Sequence, residues 1–106
     1  MSIVTLTEIC ENARQLATEH GWNQADPTAR MLHVTSEIGE VADALIALQT
    51  AMPGQASAAK AALGHEIFDA IWNLCALANI TGINLGEAAR DKVSLNADRS
   101  WPASAK

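Results

Sequence analysis

The chain has 106 residues and a mass of 11.2 kDa, enough for one small domain but not for a second hydrophobic core. Hydrophobic residues make up 49% of it and aromatic residues 4%, with no Tyr, a composition that excludes a disordered chain and favours helices over a β-sandwich. The net charge of −5 argues against a nucleic-acid polymer or an anionic membrane surface as the partner.

The first predicted helix has a signal at each end. Thr5 followed three residues later by Glu8 has the spacing of a capping box, in which each side chain accepts a hydrogen bond from the backbone of the other residue. Gly21 is a stop signal, because glycine readily adopts the left-handed conformation that ends many helices. These signals predict a helix over about residues 6–20.

The second predicted helix is long. Asp26 is a favourable N-cap and Pro27 suits the first helical position, whereas Pro53-Gly54 marks an end. The helix has roughly 23 residues, or about 35 Å at a rise of about 1.5 Å per residue. Its apolar residues advance by four or three positions, as in the seam of a helix bundle, at Val34, Ile38, Val41, Leu45 and Leu48.

The third predicted helix begins at Ser57, ends at Thr81-Gly82 and is apolar around nearly its whole circumference. Its apolar side chains include Leu63, Ile67, Phe68, Ile71, Trp72, Leu74, Cys75 and Leu77. A helix that is apolar on all sides needs neighbours on all sides, and a chain of this length offers few. We therefore expect a second copy to cover it, in a homodimer or in a tetramer built as a dimer of dimers.

The fourth predicted helix opens at Asn84, where Glu87 repeats the capping-box spacing, and reaches about Ala97. We expect the tail, residues 98–106, to pack as an irregular strap. Because no strand-like alternation occurs anywhere, the sequence predicts an all-α fold in a single domain over residues 1–106. The expected protomer is four-helix bundle-like, with two long central helices and a core that homodimerisation completes.

Acidic residues on the two central helices form the first candidate site. Glu37 and Glu40 share one face of the second helix, and such a pair alone usually marks a solvated face. Glu66 and Asp69, followed by Asn73, form a stripe along the most apolar helix. We expect these carboxylates to be buried, at a cost of several kcal/mol each unless a cation pairs with them.

Few protein cations are available to neutralise these acids, since Lys60 is the only Lys or Arg between Met31 and Asn84. Two divalent cations would supply the missing charge, and carboxylate oxygens suit Mg²⁺ or Mn²⁺. The alternative is a wet groove in which raised pKa values of the acids replace the metal. His33, one turn before Glu37, is either an outer contact of the metal ligands or an ordinary surface histidine.

A basic stripe follows near the end of the chain. Lys92, Asn96 and Arg99 lie on one face of the fourth helix and its exit, and their charged and amide donors suit a polyphosphate. The alternative is an exposed stripe that makes weak ion pairs. Trp22, just before the second helix, is either a hydrophobic plug at the end of the bundle or a platform on which a base stacks.

The cysteines and the N-terminal region carry no further chemistry. Cys10 and Cys75 belong to no Cys-x-x-Cys pair, so we expect two reduced thiols packed as small apolar residues. Glu8 and Glu11 occupy positions where an export signal would be uncharged, and the apolar run 67–80 is interrupted by polar residues and too short to span a bilayer. These observations predict a cytoplasmic protein.

Taken in order, these motifs resemble those of the all-α nucleoside triphosphate pyrophosphohydrolases, the MazG-like enzymes and the related dCTP pyrophosphatases. The motifs are E-x-x-E at Glu37 and Glu40, E-x-x-D at Glu66 and Asp69, and K-x-x-x-N-x-x-R at Lys92, Asn96 and Arg99. The similarity extends over about residues 20–102 and includes Trp22 and the pair Trp101-Pro102.

The resemblance implies a homodimer or tetramer that uses Mg²⁺ to hydrolyse a nucleoside triphosphate to the monophosphate and pyrophosphate, often as housecleaning of the nucleotide pool. The acids would be the metal ligands and catalytic residues, namely Glu37, Glu40, Glu66 and Asp69. The phosphate contacts would be Lys92, Asn96 and Arg99. The resemblance also implies that Asn73 faces the nucleotide, that Trp22 approaches the base, and that the substrate is a deoxynucleotide such as dCTP.

One position departs from the pattern of that family. Many members read E-E-x-x-D, whereas here His65 occupies the place of the first Glu, which leaves open the number of metal ions and the group that orients the attacking water. The alternative function is a non-catalytic helical dimer that binds a protein partner or a nucleotide without turnover. That alternative gives no reason for four acids on the central helices.

Overall fold

Four α-helices make up most of the protein in a computed structural model that describes residues 3–100. They are α1 (Leu6–His20), α2 (Pro27–Gln49), α3 (Ala56–Ile80) and α4 (Leu85–Ala97). A short 3-10 turn at Trp22–Gln24 joins α1 to α2. Residues 3–100 contain no β-strand, so the predicted all-α fold class is confirmed.

The ends of α1 follow the local sequence signals. The Thr5 hydroxyl accepts a hydrogen bond from the Glu8 backbone N–H at 3.2 Å, and the Thr5 N–H donates to Glu8 Oε1 at 3.0 Å. Gly21 ends the helix at φ +73°, in the left-handed region, and its N–H donates to the Ala17 carbonyl. The predicted capping box and glycine stop are therefore confirmed.

The other helices begin close to the predicted positions. Asp26 caps α2 by accepting a hydrogen bond from the Ala29 N–H at 3.3 Å, and Asn84 caps α4 by accepting one from the Glu87 N–H at 3.1 Å. The third helix begins one residue earlier than expected, at Ala56, without a side-chain cap. The two long helices contain 23 and 25 residues, as the sequence predicts for the central pair.

The helices pack around α3. Contacts between Arg30 and Asn73 and between Glu37 and Glu66 show that α2 runs antiparallel to α3. The opposite end of α3 packs against α1, where the Asn79 side-chain amide donates to the Cys10 carbonyl at 3.0 Å. Helix α4 packs mainly on α1. The acidic half of α3 is thus covered chiefly by α2, because α1 and α4 lie towards its C-terminal end.

The buried core is small and made largely of small side chains. One cluster, Cys10, Ala13, Cys75 and Ala76, joins α1 to α3. Many large apolar side chains of the central pair stay exposed, namely Leu32, Ile38, Leu45 and Ile46 on α2, and Ile67, Phe68, Ile71 and Leu74 on α3. The predicted covering of these faces by a second copy stays a prediction.

Two further predictions concern the C-terminal tail and the absence of a membrane-spanning segment. The expected strap lies largely beyond the described residues, and Trp101-Pro102 falls outside them altogether. Within residues 3–100, none of the helices combines the length and the apolar character needed to cross a membrane.

Candidate metal centre and adjoining cavity

The register of α2 against α3 brings three acidic side chains together. Glu37 and Glu40 lie one turn apart on α2, and Glu66 faces them from α3, so that one carboxylate oxygen from each lies within 4.8 Å of the others. We call these three residues the acidic cluster. Asp69, the fourth predicted ligand, lies outside the cluster but is close enough to raise the pKa of Glu37. The structure thus unites three of the four predicted ligands.

The burial of these acids is less complete than the sequence suggested. Glu37 and Glu66 are partly buried, whereas Glu40 and Asp69 are exposed. The prediction that all four carboxylates are buried is therefore wrong for two of them. The physical reason is that a single helix, α2, covers most of this half of α3, which leaves the outer edge of the groove open to solvent.

Glu37 is the most constrained member of the cluster. Its side chain is 13% exposed, and its Oε1 lies 3.3 Å from Nε2 of His33. Its other oxygen, Oε2, is buried and has no hydrogen-bond donor among the described residues. The pKa of Glu37 is raised, first because the adjacent Glu40 carboxyl favours a shared proton over two charges, then by burial, while His33 opposes the shift.

These features fit a divalent cation. Three carboxylates supply hard oxygen ligands, and in residues 3–100 His33 is the single basic side chain in ion-pair contact with any of them. A buried oxygen without a donor is unfavourable unless a proton or a metal ion satisfies it. The donor set therefore suits Mg²⁺ or Mn²⁺. His33, left open between two roles by the sequence, contacts a candidate ligand directly.

The basic stripe lies on a different part of the fold. Lys92 and Arg99 are exposed and Asn96 is partly buried. Their helix, α4, packs mainly against α1 rather than along α2 and α3, and no ion pair joins Lys92 to the acidic cluster in the described part of the chain. The role of this stripe in binding phosphate stays a prediction.

A cavity adjoins the acidic cluster, and the sequence did not reveal it. Two neighbouring hollows, of about 280 and 420 Å³, are both lined by Trp22, Arg30 and Trp72; we call the pair the tryptophan cavity. His33 and Asn73 border the larger hollow. Because His33 also contacts Glu37, the cavity and the acidic cluster share a wall.

Two predicted substrate contacts, Trp22 and Asn73, therefore line one cavity. The Trp22 ring is half-exposed and stacks on His20, with ring centroids 4.7 Å apart. Sequence reasoning missed Arg30 and Trp72. A signal existed for each, since Arg30 lies two turns before Glu37 on the same face of α2, and Trp72 directly precedes Asn73.

Comparison with models of protein families finds none that matches this chain, and comparison with curated proteins finds no match either. The resemblance to the MazG-like enzymes accordingly rests on the motifs and their spacing.

Proposed function

We propose that the protein is a Mg²⁺-dependent nucleoside triphosphate pyrophosphohydrolase. It converts an NTP or dNTP to the monophosphate and pyrophosphate, and serves in the cytoplasm to remove unwanted nucleotides. The observation that carries the proposal is the acidic cluster with its unsatisfied Glu37 oxygen, directly beside a cavity with aromatic walls. The first element suits a metal bound to phosphates, and the second suits a base.

The acidic cluster would hold the ion through Glu37, Glu40 and Glu66. When bound, Mg²⁺ offsets the charge of the phosphates and makes a water molecule more acidic. Asp69 is exposed and near the cluster without belonging to it, so its carboxylate is the group available to accept a proton from the attacking water. His33 holds Glu37 in place from the cavity side.

Lys92, Asn96 and Arg99 are proposed to bind the phosphates and stabilise the departing pyrophosphate. Because α4 packs mainly on α1, this role requires an arrangement in which the basic stripe reaches the acidic cluster. A homodimer or tetramer is therefore part of the proposal, and the exposed apolar faces of α2 and α3 are the surfaces that it would cover.

The test is a panel of NTPs and dNTPs incubated with the protein, once with Mg²⁺ and once with EDTA. We expect metal-dependent release of monophosphate and pyrophosphate from at least one nucleotide. Release from none of them would refute the proposal. Glu40→Gln and Asp69→Asn should lose activity while remaining folded, whereas Glu19→Gln, an exposed acid on α1, should remain active.

One observation favours a second candidate function. The exposed apolar faces of α2 and α3 would also suit a non-catalytic helical dimer that binds a protein partner or a nucleotide. That candidate leaves the convergence of three carboxylates without a purpose. Nucleotide binding without hydrolysis in the same panel would favour it.

A further inference from the structure

Arg30 is a cation whose hydrogen-bonding capacity is only partly used. It is partly buried on α2, and its Nη1 donates to Asn73 Oδ1 at 2.9 Å. Its Nε is buried without an acceptor, and no carboxylate lies within ion-pair distance of the guanidinium in residues 3–100. Because Nε is closed off by protein atoms, a ligand in the cavity would bring its hydrogen-bond acceptors to the terminal nitrogens of the guanidinium.

Asn73 fixes the orientation of Arg30. The Asn73 side chain is buried, and its Nδ2 donates to the Asp69 carbonyl at 2.8 Å while its Oδ1 accepts from Arg30. Reversing the amide would place its NH₂ group against the guanidinium, donor facing donor, and its oxygen against the Asp69 carbonyl oxygen, acceptor facing acceptor. The Asn73 oxygen is therefore committed to Arg30 and is not offered to a ligand.

The rest of the tryptophan cavity presents mainly apolar surface. Trp72 Nε1 donates to Asn12 Oδ1 at 3.1 Å, and Asn12 does not line the cavity, so Trp72 contributes ring surface there. Trp22 lines the same space. The cavity thus combines two indole rings with Arg30, a cation that can only donate hydrogen bonds. The other guanidinium on its wall, Arg14, is already paired with Glu11 at 2.9 Å. This combination suits a flat aromatic ligand with acceptors along one edge.

We infer that Arg30 reads the base of the nucleotide and favours a base with two adjacent acceptors. This inference rests on the proposed function, which supplies a nucleotide as the ligand. Arg30 lies seven residues before Glu37 on α2, about 10 Å along the helix axis, a separation that the sugar and first phosphate of a nucleotide span. Such a nucleotide reaches from the tryptophan cavity to the acidic cluster past His33.

Hydrogen-bond chemistry then ranks the bases. Two adjacent N–H groups of a guanidinium match the adjacent N7 and O6 acceptors of guanine, or the adjacent N3 and O2 acceptors of cytosine. Uracil and thymine place an N–H donor between their two carbonyls, and adenine places an NH₂ group beside N7. Arg30 therefore selects cytosine and guanine nucleotides over those of uracil, thymine and adenine.

The experiment measures binding of CMP, GMP, UMP, dTMP and AMP with Mg²⁺ present, by the change in tryptophan fluorescence. Monophosphates cannot undergo the proposed hydrolysis, so this measurement is independent of turnover. We expect CMP and GMP to bind roughly 5- to 150-fold more tightly than the other three, the range for one bidentate pair. The relative kcat/KM values of the triphosphates should follow the same order.

Arg30→Lys keeps the charge but loses the planar pair of donors, and Arg30→Met keeps the apolar stem of the side chain. Both variants should bind the five monophosphates with nearly equal affinity. Arg90→Lys, an exposed arginine on α4, is the matched control and should keep the preference of the wild type. Thermal melting of each variant verifies that it is folded.

The outcomes separate the two proposals. If the wild type shows no preference for CMP and GMP, or if folded Arg30→Lys and Arg30→Met both keep it, the inference about Arg30 is wrong even if the protein hydrolyses triphosphates. If the preference exists and depends on Arg30 but no triphosphate is hydrolysed, the proposed hydrolase fails and base recognition by Arg30 stands.

Discussion

At the scale of single residues, Glu37 shows that the candidate site holds carboxyl groups close enough to repel one another. Its pKa is raised by the Glu40 carboxyl and by burial, and one of its oxygens is buried without a donor in the described part of the protein. Removing water from like charges opposes folding unless a cation or a proton intervenes. Such a conflict is expected at a functional site and is costly elsewhere.

Glu37→Gln should separate function from stability. The neutral amide removes repulsion with Glu40, so the metal-free variant should melt at the same temperature as the wild type or higher. Its affinity for Mn²⁺, measured by titration calorimetry, should fall more than about tenfold. The loss of a residue that merely hydrogen-bonds to a metal ligand already lowers metal affinity about 10- to 100-fold. Glu19→Gln is the control. Unchanged Mn²⁺ binding by Glu37→Gln would contradict the assignment of Glu37 as a ligand.

The same substitution gives the sign of the pH dependence. A carboxyl whose native pKa is raised favours the folded state below its ordinary pKa, and that contribution is lost as pH rises through the native pKa. In metal-free buffer the wild type should therefore lose stability relative to Glu37→Gln as the pH is raised from below to above the ordinary value of 4.5. A constant difference in melting temperature across that range would argue against the repulsion.

Cys75 illustrates the opposite case, a titratable group with no sign of function. Burial, followed by the neighbouring thiol of Cys10, raises the pKa of Cys75 to about 12. Since the thiolate is the reactive form, Cys75 should not react with a thiol reagent at pH 8 while the protein is folded. Both cysteines should react once urea unfolds it. Rapid labelling of Cys75 in the native protein, detected as an increase in its mass, would show that this part of the core opens readily.

At the scale of elements, the helix caps set where the helices begin. Thr5→Ala removes the hydroxyl that accepts from the Glu8 N–H and should cost about 0.5–2 kcal/mol of unfolding free energy, measured by urea denaturation. Thr28→Ala is the matched control, because this exposed threonine in the first turn of α2 has no hydrogen bond to its side chain among the described residues. An equal loss in the two variants would contradict the capping role.

The capping box also depends on pH. Hydrogen bonds from Thr5 lower the pKa of Glu8, so its contribution to stability is present above its ordinary value of 4.5 and is lost as pH falls through the lowered native pKa. The stability difference between the wild type and Glu8→Gln should therefore shrink below about pH 4.

At the scale of the whole molecule, the sizes of the buried and exposed side chains indicate that more than one chain assembles. The buried core consists largely of alanines and cysteines, whereas Phe68, Ile71 and Leu74 of α3 are each about 40% exposed. Small cores support little stability, and contiguous apolar surface usually marks an interface. We expect the protein to be a dimer or a tetramer in solution.

Phe68→Glu tests this expectation, because a charge placed on that face opposes its burial against another copy. Light scattering coupled to size exclusion should give a mass of two or four chains for the wild type and a lower mass for the variant. Glu19→Lys, a charge reversal on α1 away from that face, should leave the mass unchanged. A wild type that elutes with the 11.2 kDa of one chain would refute the prediction.

The limits of the four helices were predictable from the sequence within one or two residues. The signals at Thr5, Gly21, Asp26 and Asn84 act through hydrogen bonds and backbone angles within a few residues of each helix end. Such interactions depend little on the rest of the fold. The pairing of Glu37 with Glu40 was equally predictable, because helical periodicity alone places them on one face.

The composition of the site depended on the tertiary structure instead. Arg30 and Asn73 are 43 residues apart, and their contact, like that of Glu37 with Glu66, exists because α2 crosses α3 in one particular register. That register also leaves Asp69 outside the acidic cluster and Glu40 exposed. The local sequence therefore determined where the helices begin and end, and it indicated which residue types could bind a metal ion. Packing between distant segments decided which of these side chains meet, because contacts across helices depend on distances that no single segment encodes.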